Sequence, residues 1–148
     1  MSLMPLRALA TRWYHEVWNE RNPDAIRALL APDAVGHTEG GDMRGPEEFI
    51  AMFHRPFLGA FPDIKVSVDD VIALDSDAVV RWSAVGTHTG DDLGIPASGR
   101  KVTIHGMSWL KYKDGLIIEG WDHWNFNGLV TALTGGSGCA TIQVEAGC

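Results

Sequence analysis

The sequence comprises 148 residues, of which 45% are hydrophobic and 21% are charged, and its formal net charge is −7. This length and composition predict one globular domain with a normal core, and they exclude a disordered or fibrous chain. The basic residues are scattered, which argues against a nucleic-acid partner because phosphate binding requires a cationic face. Six tryptophans are unusual in so short a chain, and four of them fall in segments with strand periodicity.

No apolar run approaches the roughly 18 residues that cross a bilayer, and the first residues lack the pattern of a secretory signal. We therefore expect a cytoplasmic protein without a membrane partner. Cys139 and Cys148 lie outside every periodic segment, so neither is expected in a core disulfide or a metal site. Residues 1–3 are consistent with an expression leader ahead of a native Met4. We expect one domain at residues 5–134, followed by a flexible small-residue tail at 135–148.

Three helices are predicted in the first half of the chain. Apolar residues recur at helical spacing between residues 6 and 17, which indicates an amphipathic helix. Asn22 before Pro23 is a good start for a second helix, because Asn accepts backbone N–H bonds and Pro suits the first helical position. The segment 45–48 begins a third helix, which Pro56 is expected to kink or end. The apolar stripe of this third helix, core by default, consists of Phe49, Ile50, Phe53 and Phe57.

After residue 63 the hydrophobic period changes from that of a helix to that of a strand. The predicted strands cover residues 64–68, 79–88, 101–111 and 116–125, with 141–144 as a candidate edge strand. Asp114-Gly115 is a strong signal for a hairpin turn. Helices followed by an antiparallel sheet predict an α+β domain, in which curvature of the sheet leaves a pocket beneath the helices.

Asp122 is the strongest candidate for chemistry. Because side chains alternate along a strand, Asp122 shares a face with Trp124 and Phe126, while Trp121 faces the other way. A carboxylate among aromatic rings loses hydration, which raises its pKa and suits it to general acid/base catalysis. The alternative interpretation is a structural carboxylate, bonded to the backbone or to Arg81, or simply exposed.

The histidines are weaker candidates. His88 and His105 lie in predicted strands and could reach a pocket, although a lone His among apolar neighbours is more often a core residue. Two loop clusters contain possible metal ligands, but their spacing matches no standard site, so we predict neither a metal nor a cofactor. These clusters are His37/Glu39/Asp42 and His88/Asp91/Asp92.

Several motifs, in order and with matching gaps, carry a family resemblance. They are Phe61-Pro62-Asp63-Ile64, Gly86-Thr87-His88-Thr89-Gly90, Gly94-Ile95-Pro96-Ala97-Ser98-Gly99-Arg100, and Asp114-Gly115 leading into Glu119-Gly120-Trp121-Asp122 and Phe126-Asn127-Gly128-Leu129. From about Leu6 to Leu133 the chain resembles the SnoaL-like polyketide cyclase (ester cyclase) family. The resemblance implies the NTF2-like fold shared with ketosteroid isomerase: N-terminal helices over a strongly curved antiparallel sheet, forming a cone with a deep apolar pocket. It also implies that the protein is a homodimer.

In the characterised cyclases of this family, an aspartate on the strand after the Asp-Gly hairpin acts as acid/base in an intramolecular aldol ring closure, without a metal or cofactor. Asp122 occupies that position, and His88 matches a family motif as pocket rim or loop anchor. The family can carry a His where this chain has Ser108, and His105 lies three positions earlier. Because three is odd, His105 and Ser108 point to opposite faces of a regular strand.

The leading hypothesis is a cofactor-independent acid/base enzyme that acts on a small apolar or aromatic carbonyl compound, with Asp122 and His105 as catalytic residues. A non-catalytic small-molecule-binding or interaction module with the same fold is the main alternative. Ketosteroid isomerase-like chemistry is less favoured, as is epoxide hydrolysis, for which Arg81 and Asp122 could supply two members of an Asp-Arg-Asp cluster. The expected pocket residues are Trp18, His37, Phe53, Phe57, Trp82, His88 and Trp124.

Overall fold

The computed structural model describes residues 5–135 and the backbone of residues 143–144. The leader expected at residues 1–3, both cysteines and most of the expected tail lie outside the described residues. Among the described residues, no helix is long and apolar enough to cross a membrane.

The helices cover the amino-terminal half and one short segment near the end. They are α1 (Leu6–Tyr14), α2 (Pro23–Leu29), α3 (Gly45–Phe49), α4 (Arg55–Ala60) and α5 (Phe126–Leu133), with π-helical turns at His15–Asn19 and Ile50–His54. The predicted cap of the second helix is confirmed, because the Asn22 side chain accepts a 3.0 Å hydrogen bond from the Asp24 N–H.

The helix that contains Pro56 corrects one expectation. The chain remains helical from α3 through the second π-helical turn into α4, so Pro56 does not end the helix. A π-helical turn carries one extra residue and shifts the hydrogen-bond ladder. Because that shift falls just before Pro56, which has no N–H to donate, the helix continues past it.

The strands form one curved, open sheet. They are β1 (Leu30–Thr38), β2 (Gly41–Arg44), β3 (Lys65–Leu74), β4 (Asp77–Thr87), β5 (Lys101–Lys113), β6 (Leu116–Trp124) and β7 (Gln143–Val144). Their order is β2-β1-β6-β5-β4-β3, and β7 pairs with β5 beyond the end of β6. Neighbouring strands are antiparallel except β1 and β6, which are parallel.

The predicted α+β class is confirmed, with the amino-terminal helices packed on the concave face of the sheet. The candidate edge strand is confirmed at residues 143–144, while residues 141–142 lie outside the described part. Strands β1 and β2 occupy a segment where the sequence shows no alternation, and β1 contains Pro32 and Gly36. They form through distant pairing, since β1 joins both β2 and β6. The helix α5 was also not expected, although Asn125 caps it by accepting a 2.8 Å bond from the Gly128 N–H.

Candidate active site

A cavity of about 960 Å³, its open mouth included, lies between the helices and the concave face of the sheet. We call it the inner cavity. Asp122 is the one charged side chain among its described lining residues. Eight aromatic rings contribute to the wall: Trp13, Tyr14, Trp18, Phe49, Phe53, Phe57, Trp82 and Trp124.

A second space, the outer cavity, adjoins the inner one and measures about 760 Å³ with its opening. It adds the turn at residues 38–41 between β1 and β2, together with Met52, Leu93 and Phe126. Asp122 lines both cavities. A molecule that filled both spaces would therefore contact Asp122. The remaining shared residues are Met43, Phe53, Phe57 and Trp124.

The Asp122 carboxyl is enclosed by the protein and accepts a hydrogen bond from Ser108. Ser108, directly opposite on β5, donates from Oγ to Asp122 Oδ1. Desolvation by the surrounding protein raises the pKa of Asp122, and the bond from Ser108 opposes that shift in part. The side chain keeps a partial exposure because it faces the cavity. The result is a carboxyl group that can reach a bound molecule and holds a proton more readily than a surface aspartate.

Ser108 is itself held by Trp82 on β4, whose Nε1 donates to Ser108 Oγ at 3.0 Å. The buried Tyr14 side chain of α1 lines the same part of the cavity, and its ring centroid lies 6.5 Å from that of Trp82. Burial raises the pKa of Tyr14, so this phenol stays neutral and able to donate. Three strands and one helix thus bring four polar side chains together in an otherwise apolar cavity.

The family model for SnoaL-like polyketide cyclases matches residues 8–133. The chain belongs to this family. No curated protein is significantly similar in sequence.

Solved structures place this family member among proteins of the same architecture. IdmH from Streptomyces antibioticus, a proposed polyketide cyclase, is 27% identical, with coverage of 87% of this chain and 97% of IdmH and a TM-score of 0.74. AclR from Streptomyces galilaeus, a proposed hydroxylase, is 25% identical over 88% of this chain and 82% of AclR, with a TM-score of 0.77. A ketosteroid isomerase-like protein from Catenulispora acidiphila DSM 44928 is 18% identical over 90% of this chain and 96% of its own, with a TM-score of 0.71, which shows the fold alone.

The aromatic residues expected in the pocket of this family member lie around one space. Trp121 faces away from that space, as alternation predicts: its ring contacts those of His37 and Trp109 on the convex face. The expected residues that line the inner cavity are Trp18, Phe53, Phe57, Trp82 and Trp124.

The three expected histidines lie outside the described lining of both cavities, contrary to the sequence-based expectation. His105 is exposed beside Ser83, because its position on β5 faces the convex side of the sheet. Arg81 is exposed on the same side, which removes it as a partner of Asp122 and leaves the epoxide hydrolase hypothesis without its cluster. The structure therefore gives His105 no contact with a molecule in the cavity.

His88 closes the base of the loop at residues 88–100. Its N–H donates to the Arg100 carbonyl at 2.8 Å and its own carbonyl accepts from Gly99 at 2.8 Å, while Nδ1 accepts from the Ser98 N–H at 3.1 Å. Burial lowers the pKa of His88, so the ring is neutral at physiological pH. Of the two roles that the resemblance implied, loop anchor fits this position. The loop carries Leu93 to the outer cavity.

His37 lies on the convex side between two carboxylates. Its Nδ1 pairs with Asp42 and its Nε2 with Glu119, each at 2.8 Å, and these bonds raise its pKa. Because the carboxylates bind opposite edges of the ring, they do not converge on one point where an ion could sit. Within residues 5–135, no group of three or more His, Cys, Asp or Glu side chains has the arrangement of a metal site.

Sequence reasoning missed the roles of Ser108 and Tyr14. Ser108 stood out only as a departure from the family pattern, and Tyr14 only as part of an apolar helical stripe. The turn at Asp114-Gly115 predicts that β5 and β6 pair, but it does not predict which residue lies opposite Asp122. A β-bulge at Ile118 shifts that pairing by one residue. An unbulged hairpin would have paired Asp122 with Met107 instead.

Proposed function

We propose that this protein is a cofactor-independent enzyme in which Asp122 moves protons on a small apolar or aromatic carbonyl compound. The observation that carries the proposal is a carboxyl with a raised pKa, the one charged group among the described residues of an aromatic cavity. Membership of the SnoaL-like polyketide cyclase family supports the same chemistry. A base whose pKa lies nearer to neutral pH accepts a proton from carbon more readily than an ordinary aspartate.

The reaction is an intramolecular aldol-type ring closure. The Asp122 carboxylate accepts a proton from a carbon next to a carbonyl, which leaves an enolate. The enolate carbon forms a bond to a second carbonyl carbon of the same molecule, whose π electrons move to its oxygen. Asp122 then returns its proton to that alkoxide, so the carboxylate is regenerated. The aromatic walls keep bulk water away and hold the two carbons close together.

The first half of this reaction can be tested without the natural substrate. The bicyclic aromatic ketone 2-tetralone fits the apolar character of the cavity and carries acidic protons next to its carbonyl. We expect the wild-type protein to accelerate deuterium incorporation at those carbons in D₂O, followed by NMR. Asp122→Asn should lower the accelerated rate by roughly 10²- to 10⁴-fold, the usual contribution of general acid/base catalysis.

Binding and fold are measured in the same samples. Quenching of tryptophan fluorescence by 2-tetralone reports binding, and circular dichroism reports the fold of the variant. Ketone that binds without faster exchange would contradict the enzyme proposal and favour a binding module. Equal exchange by wild type and a folded Asp122→Asn variant would remove Asp122 as the base.

We also propose that the protein works in the cytoplasm, and cell fractionation tests this location.

We further propose that the protein forms a homodimer through the convex face of the sheet. The support is apolar exposure on β3 and β5, the two strands that flank β4: Ile72 on β3 is 68% exposed, and Met107 and Trp109 on β5 are 50% and 48% exposed. Isolated apolar residues are normal on surfaces, but a patch of this kind marks an interaction site. Sedimentation equilibrium should give a dimer that Met107→Lys dissociates. Met52→Lys, at a methionine of similar exposure beside the cavity mouth, should leave the dimer intact.

A further inference from the structure

Side chains from three adjacent strands form one hydrogen-bonded chain that ends at Asp122. Trp82 on β4 donates to Ser108 on β5, and Ser108 donates to Asp122 on β6. Ser108 and Asp122 are directly paired across the sheet, whereas Trp82 is paired with Gly106. All three side chains face the inner cavity.

The direction of this chain follows from the donors and acceptors available. An indole Nε1–H can only donate, and an ionised carboxylate can only accept. Because Trp82 fills an acceptor site of the Ser108 hydroxyl, the single hydroxyl hydrogen is free to point at Asp122. The arrangement needs no change of tautomer or ring orientation, unlike a histidine at the same position.

We infer that Ser108, held by Trp82, is a positioning residue that binds Asp122 through Oδ1 and so reserves Oδ2 for proton transfer. The inference rests on the proposed function of Asp122. A hydrogen bond donated to a carboxylate stabilises its ionised form. Ser108 therefore limits the effect of desolvation on the pKa of Asp122 and favours the ionised carboxylate, which is the form that acts as a base. It also fixes the carboxyl plane relative to the cavity.

The position of Trp82 depends on Gly106. A Cβ at residue 106 would lie 2.3 Å from Cζ2 of the Trp82 ring. Any side chain there would displace the indole from the place where Nε1 reaches Ser108. Ser108 thus receives its support from a glycine two residues away on the same strand.

Titration of Asp122 tests the inference without a substrate. The protein is labelled with ¹³C at aspartate carboxyl carbons, and the Asp122 signal is assigned by its loss in Asp122→Asn. Removal of the donor in Ser108→Ala should raise the pKa of Asp122 by roughly one to two units, the worth of a hydrogen bond to a charged group. Ser108→Thr keeps the hydroxyl and should restore most of the wild-type titration.

Two tryptophan variants form a matched pair. Trp82→Phe removes the donor to Ser108 and should shift the pKa of Asp122 upward by less than Ser108→Ala does. Trp109→Phe also removes an indole N–H that binds an oxygen, but that bond is to Asp77 on the convex face. Trp109→Phe should leave the titration of Asp122 unchanged.

The exchange assay supplies the second measurement. Because the base must be ionised, exchange of 2-tetralone protons rises with pH through the pKa of Asp122. In Ser108→Ala that rise should move to higher pH by the same shift as the NMR titration. An unchanged pKa of Asp122 in folded Ser108→Ala would overturn the inference. If Ser108→Ala does not fold, an unchanged pKa of Asp122 in Trp82→Phe would overturn it instead. Failure of the proposed function looks different, because wild type and Asp122→Asn would then exchange equally.

Discussion

Trp82 on β4 and Gly106 on β5 are paired across the sheet, and the indole ring occupies the space that a side chain at residue 106 would need. A Cβ there would approach the ring to 2.3 Å, well inside the separation at which carbon atoms attract one another. The glycine therefore leaves room for the indole in the place from which it donates to Ser108.

The first prediction concerns Gly106→Ala. The added methyl group should tilt the Trp82 ring and lower the free energy of unfolding by about 1–3 kcal/mol, as overpacking of a core usually does. Urea unfolding monitored by tryptophan fluorescence measures this change. Gly40→Ala is the matched control, because its Cβ would lie 3.8 Å from its nearest neighbour, Thr38 Oγ1. Equal free energies of unfolding for the two variants would contradict this prediction, because the Trp82 ring would then move aside without loss of stability.

The second prediction concerns the contact between the two π-helical turns. His54 is 2% exposed, and its Nε2 donates to the Val17 carbonyl at 2.7 Å. His54→Phe keeps a ring beside Trp18 but removes the donor, so we expect a loss of about 1–3 kcal/mol for a buried carbonyl left without this partner. Chemical denaturation measures it. His15→Phe, at an exposed histidine that begins the first π-helical turn, should change stability by less than about 0.5 kcal/mol.

The third prediction is that His37 makes the free energy of unfolding depend on pH. Bonds to Glu119 and Asp42 raise its pKa in the folded protein. A raised histidine pKa contributes stability that is fully present below the unfolded value of about 6.5 and is lost as pH rises through the folded value. The difference in unfolding free energy between wild type and His37→Gln should therefore be larger at about pH 5.5 than at about pH 8.5.

Subtraction of the variant is essential in that measurement, because other histidines act in the opposite direction. Burial lowers the pKa of His54 and of His88, so their contributions fall as pH drops below about 6.5. The wild-type profile alone sums these effects. A difference between wild type and His37→Gln that is flat across this range would contradict the assigned bonds of His37.

The fourth prediction concerns the loop at residues 88–100. Thr89 and Gly90 donate to the Ala60 carbonyl at 3.1 and 3.2 Å, and a Cβ at residue 90 would lie 2.0 Å from the Gly59 carbonyl oxygen. Gly90→Ala should therefore lift the loop from the end of α4. Faster hydrogen exchange at the amides of residues 89–90 is the expected result. Ala97→Ser, an exposed change in the same loop, should leave that exchange as it is in wild type.

Local patterns in the sequence predicted most of the elements. The Asn22 cap and the Asp-Gly hairpin arise from residues close together in the chain, so a local reading suffices for them. Strands β1 and β2 could not be predicted from local sequence. β1 lacks the alternation of apolar and polar residues, and it forms by pairing with β2 and with the distant β6. The two π-helical turns likewise have no simple sequence signal, and one of them allows Pro56 to lie within continuous helix.

The candidate site divides in the same way. The sequence by itself determined that Asp122 lies on the face of Trp124, opposite Trp121, because strand alternation is a local property. It also determined that His105 and Ser108 face opposite sides of β5. Only the tertiary structure decided which residue meets Asp122. The bulge at Ile118 moves the register by one position, so that Ser108 rather than Met107 is paired with Asp122.

The same distinction applies to the support of Ser108. Nothing local relates Trp82, Ser108 and Tyr14, since they come from two strands and the first helix. Their meeting depends on strand register and on the absence of a side chain at Gly106, which together set where the indole N–H lies. A hydrogen bond requires its donor and acceptor to lie within a few tenths of an ångström of one distance, and only the packed sheet fixes positions that closely.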